Sequence, residues 1–294
     1  MSQLKNQLKT ALKILLTGAA LYLVFQKIDT AQLFELSKNL SWPWLLPAIA
    51  LFVGSKVATA IRLNHYFGNI HISLSFWENW QLYLIDMFYN LFLPGGIGGD
   101  GYKVYLLNKE FKTPVKELLK ASLLDRLGGL IAILGLLFGI LLLIELPLPF
   151  ADPRVGKVLL FAGFLGIIPG FWLLQKWFFP HFLPSFWQGV FWSLLGQLAQ
   201  MAAVVCLLLA LGVQDKMLAY QGVFLLSSLV AVLPLTIGGV GARELVVVYA
   251  HGYAGIEESV AVAFSLLFFL ITAGTSLVGA FVKRTPIVYS NRAN

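Results

Sequence analysis

Long apolar runs separated by short polar joints make up most of this chain, and two of the runs break at glycine-rich motifs instead of ending in ordinary loops. A helix needs about 20 apolar residues to cross a bilayer. Runs of this order cover 11–28, 42–62, 121–144, 155–175, 186–212 and 259–282. Two further stretches, about 72–93 and 218–233, lead directly into the motifs Pro94-Gly95-Gly96-Ile97-Gly98-Gly99-Asp100-Gly101-Tyr102-Lys103 and Pro234-Leu235-Thr236-Ile237-Gly238-Gly239-Val240-Gly241-Ala242-Arg243. Proline, isoleucine, three glycines and a terminal base align without a gap at a constant offset of 140 residues. The order helix, helix, interrupted segment, helix occurs twice. The pattern predicts a single transmembrane domain over 1–294, built from repeats at 1–146 and 150–290 that meet near Leu146 to Arg154.

The placement of bases decides whether the interrupted segments cross the membrane. If they dip in and return on the same side, and the N-terminus is inside, fourteen Lys and Arg fall on the inner side and six on the outer, with Lys56 within a span. That distribution obeys the positive-inside rule. If 72–93 crossed, the Lys-rich segment 103–120 would lie outside. Three crossings per half then place the second repeat upside down relative to the first. The expected fold is an all-α polytopic membrane protein with an inverted-topology repeat: about six spanning helices plus two re-entrant elements whose glycine-rich loops meet near the midplane. Non-helical backbone at that depth is tolerated only where protein buries it or where it lines a cavity. Paired interrupted segments in two halves are also the best sequence pointer to a transporter's binding site.

Composition narrows the class. A hydrophobic fraction of 59%, a charged fraction of 12% and a mean hydropathy of +0.81 exclude a soluble globular domain. The net charge of +7 comes from bases flanking apolar spans. Anionic headgroups, and not nucleic acid, are therefore the expected partner, and a homodimer is compatible with the sequence. Lys5, Lys9 and Lys13 precede an apolar run as in a signal peptide, but no small-residue cleavage site follows, so a retained first helix is expected. The lone Cys206 lies within an apolar run and reads as a small buried hydrophobe. All eight Trp fall near segment ends, where an interfacial belt would place them.

Chemistry concentrates at the motifs. Gly98 and Gly99 in the first copy, and Gly238 and Gly239 in the second, permit close backbone approach. A helix beginning just beyond them, near Tyr102, would turn its free N–H groups and positive dipole end toward the loop. Lys103 and Arg243 add a full charge in the first turn, a combination suited to a phosphate, which Arg can hold through two parallel hydrogen bonds. Such glycines could instead serve only helix packing; the duplication, base included, favours a binding role. Asp100 and Glu244 sit beside these bases. They either compensate the base charge or accept a proton or a cationic amine. Asp125 and Arg126 open a long apolar helix; adjacent residues point about 100° apart, so separate contacts are expected. Arg62, Lys56 and Asp86 are further ionisable groups inside apolar segments, where function is the default hypothesis. Asp86 lies four residues before Asn90 and could line a cavity.

Enzyme signatures are weak. Neither Lys103 nor Arg243 is followed by the Ser or Thr of a nucleotide loop. The four His are scattered, without metal-ligand spacing, and no nucleophile elbow appears. No cofactor is expected.

Three stretches carry a family resemblance: Asn90 through Lys103, Asp125-Arg126-Leu127-Gly128-Gly129, and Pro234 through Glu244, with Arg62-Leu63-Asn64 after the second span. Together they resemble the lysylphosphatidylglycerol synthase/flippase transmembrane-domain family over nearly the whole chain. The resemblance implies a multi-pass protein of a bacterial or archaeal plasma membrane, with cytoplasmic termini, that moves an anionic or aminoacylated phospholipid between leaflets. It makes Asn90, Asp100, Lys103, Asp125, Arg126, Arg243 and Glu244 candidates for the lipid site. In bifunctional members a soluble aminoacyl-transferase domain follows the membrane region. This sequence stops a few residues past its last span, so the expectation is a transporter and not a synthase. The alternative is a membrane enzyme modifying a lipid-linked headgroup, with Asp100, Asp125 or Glu244 as its base.

The topology makes the first prediction. Single cysteines placed in 105–118 and in 245–257 should be labelled from opposite sides of the membrane by an impermeant thiol reagent. Labelling of both sets from one side would rule out the inverted arrangement.

Overall fold

In hydrocarbon every backbone N–H and C=O must find its partner within the protein, and the described residues answer that demand with helices. The computed structural model describes residues 40–92, 98–144, 153–232 and 242–283. The helices are α1 (Leu45–Asn69), α2 (Phe76–Phe92), α3 (Gly98–Phe111), α4 (Val115–Leu143), α5 (Pro153–Phe178), α6 (Phe186–Ala210), α7 (Met217–Val232), α8 (Ala242–Ala254) and α9 (Glu258–Phe281). Among the described residues, five segments are long and apolar enough to span a membrane: Trp42–Asn69, Val115–Leu143, Arg154–Phe178, Pro180–Ala210 and Glu258–Phe281. This is a multi-pass α-helical membrane protein. Five of the six expected spans are met by these segments; the first, 11–28, lies outside the described residues.

α2, α3, α7 and α8 are shorter. At 1.5 Å per residue α2 and α3 measure about 26 and 21 Å, below the roughly 30 Å of a hydrocarbon core. They fold back on each other: Lys103 meets Asp86, Tyr102 packs on Tyr89 with ring centroids 4.8 Å apart, and the Gly99 N–H donates to Asn90 Oδ1 at 2.9 Å. Those pairings run antiparallel. A Cβ on Gly99 would collide with the Asp86 carbonyl, so this close approach requires glycine. α7 and α8 pair likewise, through Arg243 to Ser228 and, at the far end, Lys216 to the Gly255 carbonyl.

The most extensive interface joins α1 to α6. It is antiparallel, closed at one end by Ser41 N–H to the Ala210 carbonyl (2.8 Å) and at the other by Asn69 Nδ2 to Ser185 Oγ (2.7 Å). Small residues allow it, as expected where lipid offers no hydrophobic drive between helices. Gly189 lies against the Tyr66 hydroxyl, which a Cβ would overlap, and a Cβ on Gly196 would stand 3.3 Å from the Ser55 carbonyl.

The remaining contacts come in matched pairs when α1–α4 are exchanged for α6–α9. Thus α2–α9 corresponds to α4–α7, α1–α4 to α6–α9, α1–α9 to α4–α6, and α3–α4 to α8–α9. Each of the α2–α9 and α4–α7 interfaces has a glycine at its contact, on α9 in one and on α7 in the other: Gly279 packs on Leu84 and Phe88, and Gly222 on Ile140 and Ile144. The helix-to-helix contact α4–α5 has no counterpart among the described residues.

Trp42, Trp77, Trp177 and Trp187 are largely exposed at helix ends, and Cys206 is buried. A side chain at Gly279 has nowhere to go, because its Cβ would overlap the Leu84 carbonyl. Gly279→Val should therefore lower thermal stability by about 1–3 kcal/mol, read as a reduced melting temperature in detergent; the same substitution at Gly274, with open space around it, should not.

Candidate functional site

Charged side chains inside an apolar bundle must be paired or hydrogen-bonded, and here they gather around one central cavity. It has a volume of about 340 Å³, with polar lining from α1, α2, α4, α6, α7, α8 and α9. Arg62, Asp86, Asn90, Asp125, Arg126 and Arg243, six of the side chains singled out in the sequence, line it. They come from four different helices. Gly238 and Gly239 lie outside the described residues, as does the side chain of Glu244.

Two ion clusters form one flank. In the first, Arg62 Nε donates to Asp125 Oδ1 at 2.7 Å and its Nη1 donates to Ser193 Oγ at 2.8 Å. The Ser193 hydroxyl in turn donates to the Gly189 carbonyl at 2.6 Å. One guanidinium thus ties α1 to α4 and α6. In the second, Lys103 Nζ lies 2.9 Å from Asp100 Oδ1 and 3.3 Å from Asp86 Oδ1. Arg126 holds the other Asp100 oxygen, at 2.6 Å from Nε and 2.5 Å from Nη2. This cluster ties α2, α3 and α4. Asp125 and Arg126, adjacent in sequence, indeed make separate contacts in different clusters.

Two expectations change. α3 begins at Gly98, so Gly98, Gly99 and Gly101 belong to the helix and Asp100 occupies its first turn. The positive end of that helix is complemented by the protein's own carboxylate. Lys103 is 2% exposed, enclosed by Asp86 and Asp100, and does not line the cavity. It compensates acids. Asp100, for its part, engages two bases, the charge-pairing alternative left open by the sequence.

The opposite flank differs. Lys56 lies over the Phe52 ring, 4.6 Å from its centroid, and Arg243 lies over Phe268 at 5.3 Å, with Nη1 also 3.4 Å from Ser228 Oγ. Phe52 and Phe268 pack edge to face at 5.3 Å, so the two cations rest on one aromatic pair. Gln197, Gln200, Thr272 and Ser276 complete this side. Sequence reasoning passed over these neutral residues. The signal was present as polar residues at helical spacing in apolar helices: Ser193, Gln197 and Gln200 on α6, Lys56, Thr59 and Arg62 on α1, and Thr272 and Ser276 on α9.

Next to the polar cavity lies an apolar groove of about 770 Å³ between α4, α5 and α6, lined by residues such as Leu136, Phe164, Ile168 and Leu194. Ser193 borders both spaces, and Gly128 and Gly129 stand on either side of the boundary.

A polytopic helical bundle with a buried, ion-lined cavity opening beside an apolar groove is the class this geometry defines. Within it, the chain belongs to the family of the lysylphosphatidylglycerol synthase TM region, whose pattern matches residues 10–279. No curated protein and no solved structure matches it.

Breaking a buried pair strands a charge. Arg62→Met or Asp125→Leu alone should cost about 3–5 kcal/mol, and the double variant much less than the sum. Melting temperatures of the four proteins in one detergent check this; additive losses would mean that the two groups do not depend on each other.

Proposed function

We propose that this protein is a lipid transporter of the flippase type, carrying an anionic or aminoacylated phospholipid between leaflets. One observation carries the reading: a charged cavity adjoins an apolar groove across Gly128, Gly129 and Ser193. A phospholipid has the same division, with a headgroup suited to the polar space and acyl chains suited to the groove. Gly128 packs closely on Ser193 at this boundary, while Gly129 leaves the cavity side open, since a Cβ there would face only the Arg62 guanidinium at 3.8 Å.

The α2–α3 and α7–α8 hairpins are the two re-entrant elements of an inverted repeat. Support comes from the antiparallel α1–α6 pair and from the paired contacts on the two sides of the bundle. Such repeats permit alternating access by rocking one half against the other around a fixed site. The family's membrane region is consistent with a role in lipid handling at a bacterial or archaeal plasma membrane. Asp86, Asp100 and Asp125 are each engaged by a base. This favours holding and balancing charge over proton-transfer chemistry, and so a transporter that leaves its lipid chemically unchanged.

The test is a leaflet-accessibility assay with purified protein in liposomes carrying labelled phosphatidylglycerol, phosphatidylethanolamine or lysyl-phosphatidylglycerol. Protein-dependent movement of at least one lipid is expected, and Gly129→Phe, which plugs the boundary, should remove most of it. No movement of any of them, or chemical conversion of the lipid, would overturn the transporter reading.

A further inference from the structure

Part of the cavity wall is polar without being charged. On α6, Ser193 is spent on Arg62 and on the Gly189 carbonyl. Gln197, one turn further on, is not. It lines the cavity, is 6% exposed, and its amide nitrogen has no hydrogen-bond partner among the described residues. A buried donor left without an acceptor is costly, so an acceptor entering from outside the chain gains by meeting it. Two threonines supply the complementary group. Thr59 of α1 and Thr272 of α9 line the same cavity. Each donates its hydroxyl proton to the backbone one turn earlier, Thr59 to the Ser55 carbonyl at 3.0 Å and Thr272 to the Phe268 carbonyl at 2.9 Å. A hydroxyl has one proton and two acceptor lone pairs, so what remains on these oxygens is acceptor capacity. α6 packs against both α1 and α9. A Cβ on Gly196, the neighbour of Gln197, would stand 3.5 Å from Thr59 Oγ1. The wall thus offers a neutral donor together with neutral acceptors.

We propose, resting on the transporter reading above, that Gln197 of α6, Thr59 of α1 and Thr272 of α9 form a polyol subsite that recognises hydroxyl groups on a lipid headgroup. A hydroxyl both accepts and donates. It can take the Gln197 N–H and give its own proton to a threonine oxygen. Neighbouring hydroxyls, as on glycerol or a sugar, can meet several of these groups at once. An ammonium has protons to give but no lone pair, so it leaves Gln197 unmet, and an alkyl group meets neither partner. A site built to hydrogen-bond a hydroxyl discriminates against the analogue that lacks it. The three side chains are uncharged, so selection here works through direction and pairing and not through net charge. The substrate class is a phospholipid whose phosphate carries a hydroxylated group, of which phosphatidylglycerol is the simplest.

Two lipids of equal charge isolate the hydroxyls. Dioctanoyl phosphatidylglycerol and dioctanoyl phosphatidylethanol are both singly anionic, and only the first carries free hydroxyls. Equilibrium binding of each to the purified full chain in a non-ionic detergent, read by calorimetry, should favour phosphatidylglycerol by roughly tenfold, the effect of about 1.4 kcal/mol. Gln197→Leu removes the unmet donor and should abolish that preference, leaving the affinity for phosphatidylethanol as in the parent. Thr272→Val, which removes an acceptor oxygen, should reduce the preference as well, and stands in should the Gln197 variant fail to fold. Thr275 makes the same kind of bond to its own helix, 2.8 Å to the Ile271 carbonyl, but does not line the cavity; Thr275→Val should bind as the parent does. No binding of phosphatidylglycerol, equal affinity for the two lipids, or a preference that survives both variants would overturn the subsite. Free glycerol phosphate bound as tightly as phosphatidylglycerol would overturn its assignment to a lipid headgroup. The outcomes are separable from those of the transporter reading. A hydroxyl preference lost in the variants, with no leaflet movement by the parent, retains the subsite and removes transport; movement without any hydroxyl preference does the reverse.

Discussion

A charge buried among apolar helices in a membrane has no water to fall back on, and that constraint organises this molecule. The Arg62–Asp125–Ser193 chain answers it by joining α1, α4 and α6 through one guanidinium. The Asp86–Lys103–Asp100–Arg126 cluster answers it by fastening the α2–α3 hairpin to α4. Remove any member and its neighbours become uncompensated ions in a low dielectric. The helices that meet at these clusters are the ones that wall the cavity, so the same contacts that permit polar groups inside the bundle also fix where its polar space lies.

Close packing supplies the second condition. Gly189 and Gly196 bring α6 against α1, Gly128 brings α4 against Ser193, and Gly99 brings α3 against the backbone of α2. With small residues at those points, backbones approach until side chains from several helices converge on one point. The paired contacts, α2–α9 with α4–α7 among them, give the bundle two similar ways of packing a hairpin against a spanning helix. In the proposed transport cycle that similarity has a use, because two alternating conformations of comparable energy require similar contacts on the two sides.

Within the cavity, cations are treated in two ways. Arg62, Lys103 and Arg126 are neutralised by carboxylates, whereas Lys56 rests on Phe52 and Arg243 on Phe268. The first arrangement ties helices together through ion pairs, and the second seats the cations on aromatic rings. The two flanks of the cavity differ in the partners that these contacts give their cations. The duplicated bases Lys103 and Arg243 make different contacts despite their equivalent positions.

The class and much of the organisation were legible in the sequence, because a bilayer imposes length and polarity on each span. The described spans, the ends of α2 and α7 ahead of the two motifs, and six of the lining residues follow from runs of apolar side chains and from polar residues within them. The duplicated motif also located the hairpins. It misled over Lys103, since sequence spacing shows that a base begins a helix but not which carboxylate lies across from it; Asp86 is seventeen residues away, on another helix. Ser193 and Gln197 were passed over for the same reason, being modest polar residues whose meaning depends on what faces them. Helical period tells which residues share a face. Only tertiary packing, set by glycine contacts and buried ion pairs between distant helices, decides which faces meet, and therefore which cations meet a carboxylate and which rest on an aromatic ring.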